Sequence, residues 1–119
     1  KNLGIKFHII EISKVYDSLA DLMPFYSPDN NIANGNIRAR IRMIMLYYYA
    51  NINRLMVCGT SDKSELLLGY YTKYGDGGSD ILPIGDLYKT QVRILAKKLG
   101  LPEKIYLKPS SPRLWPGQT

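Results

Sequence analysis

Gly59-Thr60-Ser61-Asp62-Lys63-Ser64-Glu65, followed by Gly69-Tyr70-Tyr71-Thr72-Lys73-Tyr74-Gly75-Asp76-Gly77-Gly78-Ser79-Asp80, decides how the remaining residues are read. Leu55-Met56-Val57-Cys58 precedes it, a short apolar run of the kind that forms a buried strand. A strand that breaks at Gly-Thr and turns into a helix carries its polar groups to the carboxyl end of a sheet. Open α/β folds bind ligands there. Thr60 and Ser61 are candidate caps for a helix predicted over 61–68, and its first N–H groups suit an anion. Glu65, one turn in, can hold a metal between protein and phosphate. Spacing alone also allows a plain strand–helix corner with solvated polar groups.

Working outward, residues 5–12 alternate loosely and carry β-branched side chains, which predicts a strand containing His8. Ser13 is a possible cap for a helix reaching Met23, with Val15, Leu19 and Leu22 at helical spacing. Asn30 or Asn31 opens a long helix ending near Asn51, whose apolar stripe is Ile37, Ile41, Ile44 and Tyr48. Further apolar residues on that helix suit either burial within one protomer or a partly shared face with a second subunit. Four glycines in residues 69–80 mark a long irregular loop, functional or mobile. Asp86 is read as the cap of a helix with core positions Val92, Leu95, Ala96 and Leu99. Lys97 and Lys98 fill its last turn, and Gly100 and Pro102 stop it. Residues 108–119 are a proline-containing loop or tail.

At 119 residues the sequence is the size of one domain, and 45% hydrophobic with 22% charged residues suits a globular protein. No apolar run approaches the roughly 20 residues of a membrane span. Cys58 is the single cysteine, so an internal disulfide is excluded. A reducing, cytoplasmic setting and a buried, inert thiol are expected. One histidine and one cysteine cannot build a Cys/His metal cluster. The formal charge of +6 raises a nucleic-acid reading, but the basic residues are dispersed and carry no RNA-binding signature, so nucleic acid stays a minority alternative. The β/α alternation predicts a parallel, doubly wound, Rossmann-like sheet, although only two firm strands are visible.

Several blocks together resemble the NAD synthetases, most closely the ammonia-dependent kind. They are Gly35-Asn36-Ile37-Arg38-Ala39-Arg40-Ile41-Arg42-Met43, Gly59 to Glu65, Gly69 to Asp80, Leu87-Tyr88-Lys89, and Lys108 through Leu114-Trp115-Pro116-Gly117-Gln118-Thr119. The resemblance covers nearly all of 31–119 in unbroken order. It implies an adenine nucleotide alpha hydrolase-like fold, with 1–119 forming part of a single NAD synthetase domain. It implies a ligase that uses ATP and Mg²⁺ to adenylylate the carboxylate of deamido-NAD, after which ammonia forms the amide of NAD. Carried over by position, Thr60, Lys89 and Ser111 bind ATP, Glu65 ligates Mg²⁺, and Arg40, Lys73 and Asp80 bind deamido-NAD. Asp76 is proposed to receive the ammonium ion and take its proton.

For each residue a bland alternative stands: a solvated first-turn glutamate, a surface lysine or arginine, a turn serine, an Asp-Gly turn. A homodimer through the 31–51 helix is expected. The resemblance also implies a Ser-Gly-Gly-x-Asp-Ser phosphate loop and a C-terminal His-Lys pair. Neither occurs in these residues, so the sequence reads as a segment that is inactive alone. The alternatives are another ATP pyrophosphatase-type adenylylating enzyme, a basic nucleic-acid-binding module, or a non-catalytic dimerisation fragment.

Overall fold

Local capping chemistry sets where the helices begin and end. The computed structural model describes residues 4–111, so the Leu114–Thr119 block lies outside the described residues. Its elements are α1 (Ser13–Leu22), α2 (Asn31–Asn53), α3 (Lys63–Leu68), α4 (Lys89–Lys98) and α5 (Glu103–Tyr106). Asn30 caps α2 by accepting the Ala33 N–H at 3.1 Å. Gly100, at φ +70°, follows α4, and the Leu101 N–H bonds back to the Ala96 carbonyl at 3.0 Å. The predicted stop of that helix at Gly100 is therefore present, and Lys97 and Lys98 occupy its last turn.

Other caps differ from expectation. Asp62, rather than Thr60 or Ser61, caps α3, because only its carboxylate reaches the Glu65 N–H. Tyr88, rather than Asp86, holds the cap position of α4, and the Gln91 side chain accepts the Tyr88 N–H at 2.8 Å. Asp86 turns instead to Lys63, 3.0 Å away. Ser13 is the first residue of α1 and donates to the Glu11 carboxylate through both its N–H and its hydroxyl.

The predicted strand over 5–12 is absent, and Cys58 is exposed rather than buried. A strand exists by exchanging backbone hydrogen bonds with a neighbour, and residues 5–12 meet none among the described residues. The Leu55–Cys58 run makes one parallel bridge, Cys58 to Ile81, so no strand is formed among the described residues. That bridge is made by the Gly59 N–H to the Ile81 carbonyl (2.8 Å) and the Ile81 N–H to the Val57 carbonyl (3.3 Å), and the Asp80 N–H also donates to the Val57 carbonyl (2.9 Å). Of the predicted doubly wound sheet, a single point of pairing is present among the described residues.

Side-chain burial also departs from the periodic reading. In α1 the buried residue is Tyr16, while Val15, Leu19 and Leu22 are exposed. The Arg38 guanidinium lies 4.0 Å from the Tyr16 ring centroid, and the Tyr16 and Tyr26 hydroxyls are 3.0 Å apart, which docks α1 on α2. Of the α2 stripe, Ile41 is buried at 3% exposure, but Ile44 and Tyr48 are open at 61% and 69%. Leu95 in α4 and Leu99 just after it are exposed. The buried apolar residues are Tyr16, Ala39, Ile41, Ala50 and Val57. The radius of gyration, 16.0 Å, exceeds the about 13.5 Å of a compact domain of this length, as expected when elements lie beside one another without enclosing a core.

α2 and the glycine-rich loop approach closely. A Cβ on Gly75 would sit 2.9 Å from Thr72 Cβ and 3.0 Å from Ala39 Cβ. Gly75→Ala is therefore expected to cost about 1–3 kcal/mol by overpacking, read as a lowered urea midpoint. An unchanged midpoint would mean that the loop can lift off α2 freely.

Candidate functional site

Two polar clusters flank the Val57–Gly59 segment. The first is built on the start of α3. Asp62 Oδ1 accepts the Glu65 N–H at 3.0 Å, and Glu65 Oε2 accepts the Asp62 N–H at 3.0 Å, a reciprocal box that satisfies two amides. The Asp62 side chain has 0% exposure. A buried carboxylate requires a cation, and Lys89 Nζ supplies it, 2.6 Å from Asp62 Oδ2 and 3.3 Å from Glu65 Oε1. The Lys89–Asp62 contact is a close ion pair, and it compensates the buried Asp62 Oδ2.

Lys89 is fixed at its backbone as well. Its N–H donates to Ser64 Oγ at 3.1 Å, and the Lys63 N–H donates to the Leu87 carbonyl at 2.9 Å, so the start of α4 is tied to α3. These bonds also engage the Lys63 and Glu65 amides within the protein. The start of α3 is therefore not the open anion-binding turn that the sequence suggests.

Burial pushes the Asp62 carboxyl up, but the Lys89 ammonium and the Glu65 and Ser64 N–H groups outweigh it and hold it below the usual aspartate range. For Lys89, burial works downward, while Asp62 and Glu65 outweigh it and hold the ammonium above the usual lysine range. Both groups are charged at neutral pH.

The second cluster is the 69–80 loop, fastened to one face of α2. Thr72 is buried; its hydroxyl donates to Asn36 Oδ1 at 2.7 Å, and its N–H donates to Asp76 Oδ1 at 2.8 Å. Arg40 Nε donates to the Lys73 carbonyl at 3.2 Å. Asp80 accepts the Tyr47 hydroxyl at 3.0 Å and the Val57 N–H at 2.7 Å. Asn36, Arg40 and Tyr47 fall at i, i+4 and i+11, one stripe of the helix. That stripe is polar and distinct from the apolar one read from the sequence. Tyr74 adopts φ +60°, a conformation that a non-glycine residue keeps only when its surroundings enforce it. Lys73 Nζ lies 5.2 Å from the Tyr74 ring centroid.

The structure thus brings Glu65 and Lys89 together, and it gathers Arg40, Lys73, Asp76 and Asp80 on the second cluster. Thr60 is exposed on the connection leading to α3, and Ser111 is half-buried at the end of the described residues. Asp62, Asn36, Thr72 and Tyr47 were not singled out from sequence. For Asp62 the signal was present in the Asp62-x-x-Glu65 spacing of a capping box; for the others no local pattern exists. Among the described residues no group of three or more His, Cys, Asp or Glu side chains is placed to hold a metal. Glu65 offers one carboxylate oxygen, Oε1, which faces Lys89. Such a donor set fits Mg²⁺, which commonly takes one or two carboxylates and fills its shell with phosphate oxygens and water.

Residues 1–119 match the NAD synthase family. The chain belongs to that family. It is 60% identical over 117 residues to a Staphylothermus marinus protein named NH(3)-dependent NAD(+) synthetase, covering 98% of this chain and 42% of the relative. A solved NMN synthetase from Francisella tularensis superposes with a TM-score of 0.90 at 41% identity, over 99% of this chain and 49% of that one. An NH3-dependent NAD synthetase from Campylobacter jejuni, solved with nitrate, gives a TM-score of 0.81 at 41% identity, over 90% of this chain and 45% of that one. The chain therefore spans less than half the length of these relatives and shares the fold of the matched portions. Among the described residues no helix is long and apolar enough to cross a membrane.

Proposed function

We propose that these residues are part of a single NAD synthetase domain, with a Rossmann-like sheet, that converts the carboxylate of deamido-NAD to the amide of NAD with ammonia. ATP is consumed to AMP and pyrophosphate. The observation that carries this reading is the meeting of Glu65 and Lys89, far apart in sequence and 3.3 Å apart in space, beside the buried Asp62. The 60% identity to a protein of that name supports it.

The reaction must bring a carboxylate against a triphosphate, two groups that repel. Lys89 offers a point charge to the phosphates, and Glu65 the ligand for Mg²⁺; Thr60 and Ser111 add hydroxyls. Mg²⁺ held by Glu65 would supply neutralisation of the phosphate charge. Arg40, Lys73 and Asp80 orient deamido-NAD. Arg40 and Asp80 act in part through the loop, since each already holds it by a backbone or side-chain bond. Asp76, flanked by Gly75 and Gly77, receives the ammonium ion and accepts its proton, freeing the lone pair that attacks the acyl-adenylate. A homodimer through α2, whose Ile44 and Tyr48 are exposed, and a cytoplasmic location belong to the same reading.

The test is product analysis with the full-length protein, ATP, Mg²⁺ and ammonium. NAD, AMP and pyrophosphate in equal amounts from deamido-NAD are expected, without activity from residues 1–119 alone. Parallel arms replace deamido-NAD with nicotinic acid mononucleotide and ammonium with glutamine. NMN as the preferred product would reassign the substrate to a mononucleotide, and no ATP-dependent amidation in any arm would end the reading.

A further inference from the structure

The family resemblance assigns roles to Glu65 and Lys89 but none to Asp62, the fully buried carboxylate between them. The two carboxylates hold Lys89 unequally. Asp62 Oδ2 is 2.6 Å from Nζ and out of water. Glu65 Oε1 is 3.3 Å away, and that side chain is 30% exposed. Asp62 cannot exchange Lys89 for solvent, whereas Glu65 can. The Ser64 hydroxyl fixes the backbone of Lys89, so the side chain pivots about a fixed point.

We propose that Asp62 is a positioning residue for ATP: it anchors Lys89 so that Glu65 can be given up to a divalent cation while the ammonium stays beside the polyphosphate. This rests on the reading of Glu65 and Lys89 above. Without Asp62, the ammonium would have Glu65 as its only carboxylate, and either Lys89 or the cation would be lost from the phosphate side.

Asp62→Asn separates this role from capping, because Asn still accepts the Glu65 N–H and caps as well as Asp but removes the charge facing Lys89. In the full-length protein, the KM for ATP is expected to rise about tenfold, with kcat and the KM for deamido-NAD within about twofold of wild type. The calorimetric Kd for ATP with Mg²⁺, measured without the second substrate, should rise by the same factor. A structural role alone would reduce the active fraction, and so the apparent kcat, without moving either constant. Asp62→Ser, a second capping variant without the charge, should reproduce the ATP effect and replaces Asn if that variant does not fold. An ATP Kd within about twofold of wild type in a folded variant overturns the proposal, as does an equal rise in both KM values. A wild-type protein with no ATP-dependent amidation removes the underlying reading first, so the two failures are distinguishable.

Discussion

Lys89→Met is expected to lower the unfolding free energy by about 3 kcal/mol, the lower end of the cost of removing one partner of a buried ion pair. The reason lies in Asp62. With 0% exposure and Lys89 as its counter-ion, its carboxylate would be left charged and uncompensated. The lower end applies because the Lys89 side chain is 34% exposed, so water can enter as the ammonium leaves. Urea titration of the full-length protein gives the value. Adding Asp62→Asn to the same chain should recover more than half of the loss, since the cap survives and the stranded charge is gone. A loss below about 1 kcal/mol in the single variant, or no recovery in the double, would mean that Asp62 is solvated in the native state.

Asp76→Asn is expected to slow amide formation at saturating ammonium by about 100-fold, the lower range for loss of a positioned proton acceptor. The substitution is nearly isosteric, and its Oδ1 can still accept the Thr72 N–H that Asp76 now accepts at 2.8 Å. The loop therefore keeps its place on α2, with Thr72 on Asn36 and Arg40 on the Lys73 carbonyl. What disappears is the negative charge that attracts ammonium and takes its proton. ATP binding, which draws on the other cluster, should be unchanged. Turnover within about twofold of wild type would reduce Asp76 to the turn residue that Asp-Gly sequences often are.

Local chemistry alone determined the parts of this protein that depend on residues within one turn of each other. Asn30 before α2, Gly100 after α4 and the Asp62-x-x-Glu65 box are all short-range hydrogen-bonding arrangements, so their signals lie in adjacent letters. The ordered blocks from Gly35 to Thr119 likewise carried the family resemblance. Strand formation could not be settled that way. Residues 5–12 have strand-like composition, but among the described residues they pair with no other strand, and Cys58 bridges to Ile81 alone. Burial was equally out of reach: Tyr16 is enclosed by the Arg38 guanidinium on its ring and by Tyr26, while its apolar neighbours stay open.

The site divides along the same line. Glu65 and Lys89 were legible as separate polar residues, yet 24 positions separate them, and the ties of Lys63 and Ser64 to the start of α4 make them neighbours. Tertiary structure alone placed Asp62 out of water between them, and aligned Asn36, Arg40 and Tyr47 under the loop. The energy of a carboxylate depends on what surrounds it in three dimensions. Its distance along the chain from the cation that compensates it carries no such information.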